Sequence, residues 1–450
     1  MTDNSGGTNM TAVQALLDWV RDNGGSFPGQ SIREQSAGGR GVFAEVNLIR
    51  HGTVLEIPRH LILCMDLARR SPLGRALAEK GITPRSSYTL LALLLLQEDA
   101  APDSFWRPYL DSLPRAYPES PVYFDDPTLA LLQGSYTLSL IAARREQIEA
   151  EYAMVHPVLP SRPEFRFEAF RWAMVTVISR GFAVLCDNGH NEAALVPLLD
   201  MFNHRTDNGI EGCYRAERAQ FVLHALHDHE PGGELFISYG TYTTAQFFVN
   251  YGFVDTNSRE GEARVVVELD QRDAWFQEKR KAFNGVTQVD LLLATSDVDS
   301  LLACLRFLRF SASGGHGEGR FVPQLALQPR DPAGELAVAK AFRLACEAAL
   351  DTFPTSLAED ESFLRQGLNQ AMMGLVRMRV SEKAVLHRAV EFARSIESFL
   401  ADWEVGGSPS DRFASLMVGA EGARRRWLEA WWSDIGERLI AASDPKPSMA

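Results

Sequence analysis

Apolar residues recur along the chain in distinct regimes. Over residues 11–23, Val13, Leu16, Leu17 and Val20 fall at helical spacing and Gly24-Gly25 ends the pattern, which predicts an amphipathic helix. Residues 38–58, GGRGVFAEVNLIRHGTVLEIP, set short β-branched and aromatic runs between Gly-rich breaks, the pattern of paired strands. Residues 71–152 turn helical, with 90–97, 105–110 and 129–150 as candidate helices between prolines such as Pro84, Pro102 and Pro121. A further helix is expected over 165–178, where Phe170, Met174, Val177 and Ile178 share a stripe. Strand patterns return at 181–186, 219–225 and 234–239, the last after a Pro231-Gly232-Gly233 turn. Polarity shifts after Asn257, and beyond about Val267 the pattern is almost wholly helical. Val385, Ala389, Phe392, Ile396, Phe399 and Trp403 form one such stripe, and residues 311–319, SASGGHGEG, read as a loop. Strands, an inserted helical block, more strands and a helical tail describe an α+β domain with an all-α partner.

Length and composition narrow the classes. A chain of 450 residues exceeds one ordinary core, so two or three domains are expected, and 46% hydrophobic content supports packing over disorder. The net charge of -13 argues against a broad nucleic-acid face and suits a protein that receives a basic peptide. Cys64, Cys186, Cys213, Cys304 and Cys346 lack CxxC spacing, so neither a disulfide framework nor a zinc cluster is readable, and buried thiols in a reducing compartment are expected. MTDNSGGTNM has no signal-peptide pattern, and the apolar run Leu90 to Leu96 is too short for a bilayer. The expectation is a cytoplasmic monomer that contacts neither membrane nor nucleic acid directly.

Five segments carry the candidate chemistry: GRGVFA (39–44), RWAMVTVISR (171–180), VPLLDMFNH (196–204), GELFISYG (233–240) and NYGFV (250–254). Read singly, each has a bland reading: Gly-x-Gly is a turn, Asn203-His204 a hydrogen-bonded core pair, and Tyr239 a buried tyrosine with one partner. In this order and spacing they resemble the SET methyltransferases, in the branch containing Rubisco large-subunit methyltransferase and actin-histidine methyltransferase. SFWRPYLDSLP (104–114) and SEKAVL (381–386) are similar to the same branch. The resemblance implies a SET β-fold with a pseudoknot at 196–204 and an all-α substrate-binding domain. It divides the chain into a lead-in (1–29), a SET domain (30–256, insertion about 71–175) and a C-terminal domain (257–450). It implies S-adenosylmethionine as cofactor, contacted by Gly38, Gly39, Arg40, Arg180, Asp200, Asn203, His204, Tyr251 and Phe253. Tyr239 is the implied catalytic residue and Phe182 a wall of the acceptor channel.

Methyl transfer from a sulfonium to nitrogen is an in-line displacement, so the protein mainly aligns the reacting atoms and excludes water. An apolar Phe182 suits the alkyl stem of lysine more than an imidazole that wants a hydrogen-bonding wall. The acceptor is therefore expected to be a lysine of a non-histone protein, with protein histidine, or a non-catalytic SET-like scaffold, as the alternatives. No metal is expected. His224, His227 and His229 in HALHDHE fall at a strand end without a supporting ligand set, and the arginines 424–426 beside Trp427, Trp431 and Trp432 read as the basic edge of a core-facing stripe.

Overall fold

The structure, a computed structural model, describes residues 10–35, 39–255, 261–294, 331–368, 370–403 and 408–443, with Leu302 and Arg306. It divides into two compact units. One comprises 1–123, 141–242 and 249–252, the other 124–140, 243–248 and 253–450. The second unit thus takes two short pieces from ahead of the boundary expected at 256.

In the first unit, helix α1 (Met10–Asp22) buries Val13, Leu16 and Val20, the stripe read from spacing. Ten short strands follow. They are β1 (Gln30–Glu34), β2 (Arg40–Ala44), β3 (Thr53–Pro58), β4 (Leu63–Cys64), β5 (Gly181–Leu185), β6 (Asn191–Leu195), β7 (Asn203–His204), β8 (Ile210–Arg215), β9 (Gln220–Ala225) and β10 (Glu234–Ile237). They make three small sheets, ordered β1-β2-β10-β7, β3-β9-β8 and β4-β6-β5. The β7–β10 pairing is parallel and sets Asn203 opposite Phe236 and His204 opposite Ile237, while β10 runs antiparallel to β2. The Asn-His segment is thereby held one strand away from the glycine-rich segment.

Between β4 and β5 lie helices α2 (Met65–Arg70), α3 (Pro72–Glu79), α4 (Ser87–Asp99), α5 (Arg107–Ser112), α6 (Asp126–Leu129), α7 (Tyr136–Val155) and α8 (Phe167–Arg180). Leu91 to Leu96 of α4 are all buried, which suits a run that is apolar all round. Arg107 locks α5 in place by donating from Nη2 to the carbonyls of Glu98, Asp99 and Ala101 at 3.0, 2.9 and 2.7 Å. The Glu98 and Asp99 carbonyls lie in the last turn of α4 and Ala101 just past it, where orphan acceptors need donors.

The second unit is helical, with one addition to the expected all-α tail: β11 (Glu262–Glu268) pairs antiparallel with β12 (Gln288–Ala294). The helix Gln370–Ala401 buries Val385, Ala389, Phe392, Ile396 and Phe399, the stripe read from the sequence. Trp427 and Trp431 are buried, while Trp432 stacks on Phe413 with centroids 4.2 Å apart, so the stripe beside 424–426 faces a core. In SEKAVL, the buried Glu382 accepts from Ser135 Oγ at 2.6 Å, from Thr137 Oγ1 at 2.6 Å, and from the N–H groups of Tyr136 and Thr137 at 2.8 and 3.1 Å. A distant carboxylate thus caps the start of α7.

Candidate active site

Arg180 ends α8 and Gly181 opens β5 with no loop between, so the last helical turn delivers the guanidinium to the head of a strand. The junction requires glycine, because a Cβ at 181 would stand 2.5 Å from the Val177 carbonyl oxygen. Arg180 Nη1 donates to the Asp200 carbonyl at 3.0 Å and to its Oδ2 at 3.2 Å. Asp200 sits on a 3-10 turn, Leu199–Met201, entered through Leu198 at φ 66°. That left-handed conformation costs a leucine about 1–3 kcal/mol and is held by the surrounding packing. Tyr109, fully buried on α5, donates its hydroxyl to the same Oδ2 at 3.1 Å.

The electrostatics follow from burial and a shared carboxylate. Burial, then the Asp200 charge, holds the Tyr109 pKa well above the usual phenol value, so the hydroxyl keeps the proton it donates. At Arg180 burial opposes the charge, but Tyr117, Asp200 and Tyr109 more than offset it, and the pKa is raised. At Arg40 burial, with Arg180 second, lowers the pKa while Asp200 acts in the other direction. Two guanidiniums thus flank one carboxylate. Among the described residues, the buried Arg40 Nη1, Arg180 Nε and Asp200 Oδ1 have no hydrogen-bond partner. Cationic donors beside an anionic acceptor match the carboxylate and ammonium of an α-amino acid, the end group that S-adenosylmethionine carries.

A cavity of about 430 Å³ is lined here by Arg180, Phe182, Asp200, Tyr239, Tyr242 and Tyr251, and also by Tyr88, Asn191 and Glu192. Tyr239 lies two residues beyond β10. Its hydroxyl donates to the Phe202 carbonyl at 2.8 Å and its backbone N–H to His204 Nδ1 at 3.1 Å. An accepting Nδ1 places the proton of neutral His204 on Nε2. Burial raises the Tyr239 pKa above the usual phenol value; Arg180 counters and Asp200 and Glu234 add to the rise. The Tyr239 ring lies 4.9 Å from that of Tyr251, which is 6.0 Å from Tyr242, and Phe182 meets Phe221 edge-on at 6.4 Å.

Arg180, Asp200, Tyr239, Tyr251 and Phe182 are brought to this one cavity. Gly39, Arg40, Asn203 and His204 are not among the residues that line it. Asn203 Nδ2 donates to the Arg40 carbonyl at 2.9 Å and to Glu234 Oε1 at 2.7 Å, tying β2, β7 and β10 together. Gly39 has φ 81° with nothing within 4 Å of its would-be Cβ, so its glycine answers to backbone conformation rather than to space. Gly38 lies outside the described residues. Phe253 belongs to the second unit, where its ring is 5.5 Å from Phe247. Sequence reasoning missed Tyr88, Tyr109, Asn191, Glu192 and Tyr242. Only Tyr109 carried a signal, as part of the SFWRPYL stretch.

Asp66, Cys186 and Glu192 form a group whose ligand atoms lie within 4.8 Å of one another. Arg59 and Arg69 pair with its two carboxylates, and burial pushes the Cys186 thiol up to about 12. A neutral thiol beside carboxylates already matched by cations is a poor metal site. His229 Nε2 lies 3.1 Å from the carbonyl oxygen of Gly209, in the segment ahead of β8, and its ring 4.5 Å from that of His227.

Comparison with known proteins agrees with this geometry. Residues 39–240 match the SET domain model and residues 270–386 the Rubisco LSMT substrate-binding model. The chain is therefore a SET-domain protein, and its class is the S-adenosylmethionine-dependent protein methyltransferases of the SET type. Within that class it belongs to the branch that joins the SET domain to a Rubisco LSMT-type substrate-binding domain. It is 26% identical over 434 residues to actin-histidine N-methyltransferase of Canis lupus familiaris, covering 91% of this chain and 73% of that one. With the Rhinolophus ferrumequinum protein of the same name, identity is 27% over 429 residues, covering 90% and 72%. The fold aligns with Rubisco LSMT bound to AdoMet at a TM-score of 0.70 and 22% identity, over 93% of this chain and 99% of that one. With the SET domain of LSMT bound to lysine and AdoHcy the TM-score is 0.71 at 21% identity, over 91% and 99%. Among the described residues no helix is long and apolar enough to cross a membrane.

Proposed function

We propose that this chain methylates a lysine side chain of a protein substrate. The observation that carries the reading is the cavity in which Tyr239, its hydroxyl proton held by the Phe202 carbonyl, stands with the Arg180–Asp200 pair and an aromatic wall. Arg40, Arg180 and Asp200 would hold the amino-acid end of S-adenosylmethionine, and Tyr251 its aromatic side. When bound, that cofactor supplies a methyl group activated by a sulfonium.

The remaining work belongs to the protein. With its proton donated to Phe202, the Tyr239 oxygen keeps lone pairs for the acceptor N–H and for weak CH···O contacts with a methyl carrying partial positive charge. Its raised pKa keeps it a neutral hydroxyl at physiological pH, so it orients the acceptor and does not serve as the base. A free lysine with a pKa near 10.4 is about three units from deprotonation at neutral pH, a population cost of about 4–5 kcal/mol. Entry into a cavity walled by Phe182, Tyr242 and Tyr251 disfavours the ammonium by desolvation and lowers that cost. Phe182 then packs on the alkyl stem.

A second reading, histidine as acceptor, is favoured by the sequence relatives, which are named actin-histidine N-methyltransferases. Incubating the full chain with a lysate and S-adenosylmethionine, then locating the methyl group by mass spectrometry, separates the two. Methyl on a lysine ε-nitrogen supports the first reading and methyl on an imidazole nitrogen the second. Cofactor binding by calorimetry without methyl incorporation would support a non-catalytic scaffold.

A further inference from the structure

We infer that Arg144, on α7, is a positive charge set beside the acceptor side of the cavity without a matching carboxylate, and that it keeps the incoming lysine in its neutral, nucleophilic form. The inference rests on the reading of the acceptor as lysine. Arg144 Nη1 donates to Gln147 Oε1 at 3.1 Å and Nη2 to Asn250 Oδ1 at 2.8 Å. Both partners are neutral amides, and among the described residues no carboxylate forms an ion pair with this guanidinium. Other arginines of the same unit differ: Arg59 pairs with Asp66, Arg69 with Glu192 and Arg180 with Asp200. A half-buried cation left with neutral partners is costly, and a guanidinium does not shed its proton to escape that cost.

Arg144 is not among the residues that line the cavity, but its charge reaches two that are, Tyr88 and Tyr242. Burial raises the Tyr88 pKa, Tyr242 adds to the rise and Arg144 counters it. Asn250, which Arg144 holds, directly precedes Tyr251, a third ring of the same wall. The other charged groups around the cavity leave this cation uncancelled. At the inner end Arg40 and Arg180 flank the one carboxylate of Asp200, and on β6 Glu192 is matched by Arg69. Glu151, farther along α7, turns its carboxylate to the Ser86 N–H at 2.9 Å and the Thr89 hydroxyl at 2.8 Å, donors at the start of α4. Arg144 therefore adds to a site that is already positive. A like charge lowers the pKa of a lysine entering it, and the amine's proton leaves to water.

The test uses the full chain and, as acceptor, the purified protein whose lysine the lysate incubation labels. With that protein and S-adenosylmethionine both saturating, kcat should rise with pH along a limb that reports the bound amine. Arg144→Gln removes the charge, and Asn250→Asp sets a carboxylate against it while the guanidinium stays. Each should move the limb up by about one pH unit, so that kcat at pH 7 falls roughly tenfold and the parent value returns on the plateau. Arg144→Lys keeps the charge and should keep the limb where it is. A second readout needs no turnover. Calorimetry of acceptor binding to the S-adenosylhomocysteine complex, in buffers of different ionisation enthalpy, should show fewer protons released by Arg144→Gln and Asn250→Asp than by the parent. If Arg144 only ties α7 to Asn250, Asn250→Asp strengthens the tie and leaves the limb in place, while Arg144→Gln lowers kcat equally at every pH. Either result overturns the inference, and should Arg144→Gln fail to fold, Asn250→Asp decides by itself. A parent that labels histidine and no lysine overturns the lysine reading at the first step, and the inference with it.

Discussion

At the scale of single residues, environment decides what each group can do. Tyr239 holds its proton more tightly in the folded chain than in the unfolded one, because burial disfavours the phenolate. Its contribution to stability is therefore fully present below the unfolded value near 10 and is lost as pH rises past it. Between about pH 7 and pH 9 any rise of kcat/KM then belongs to the acceptor amine, and Tyr239→Phe should keep the slope of that limb while lowering kcat roughly 100-fold with little change in cofactor affinity. A variant that turns over like the parent removes Tyr239 from the chemistry. The thiols offer a second check. Cys213 is exposed, whereas Cys186 and Cys346 are buried, and burial raises the pKa of both. Iodoacetamide at about pH 8 should label Cys213 well before these two, as read by peptide mass spectrometry; faster labelling of Cys186 would contradict its burial.

At the scale of elements, Glu382 shows a helix start held by a residue far away in sequence. Burial raises its pKa despite four accepted hydrogen bonds. A raised carboxylate pKa means that this group stabilises the fold most below its unfolded value, near 4.3, and that its contribution falls as pH rises through the folded value. Its worth at neutral pH is in the donors it satisfies. Glu382→Gln would point amide hydrogens at donors that need acceptors and should cost about 1–3 kcal/mol in urea unfolding at pH 7. A variant as stable as the parent would show that these donors find other partners. The helix Gln370–Ala401 contributes a second anchor of this kind, Arg379 Nη1 on the Leu131 carbonyl at 2.8 Å.

At the scale of the whole molecule, the two anchors bear on how the chain can be cut. A chain ending near Thr256 separates residues 124–140 from Glu382 and Arg379, leaving buried donors and a carbonyl unmatched. Such a truncation is expected to aggregate, as sedimentation would show, and a soluble truncation that binds cofactor would instead mark 256 as a usable domain boundary. From the match of residues 270–386 to a substrate-binding model we expect the C-terminal domain to select the protein target, so this soluble form should lose most methylation of the native substrate. A net charge of -13 favours a basic target, so the KM for that target should rise between about 50 and 300 mM salt while the cofactor KM stays level. A flat salt response would remove steering from the account.

Periodicity by itself determined α1, α8 and the helix Gln370–Ala401, whose apolar residues recur at helical spacing, and the short apolar runs determined the strands of the glycine-rich segment. The ordered segments by themselves pointed to the class and to Arg180, Asp200, Tyr239 and Tyr251. Strands such as β8 escaped, because Glu211, Gly212 and Cys213 are exposed and no alternation marks them. The hairpin of β11 and β12 escaped inside an otherwise helical tail, since its pairing partners lie 20 to 32 residues apart. Only tertiary structure decided that Asn203 spends its amide on Arg40 and Glu234, that Tyr109 reaches Asp200 across 91 residues, and that Tyr88 and Tyr242 complete the aromatic wall. Such contacts join residues distant in sequence, and local spacing carries no record of which side chains a crossover brings together.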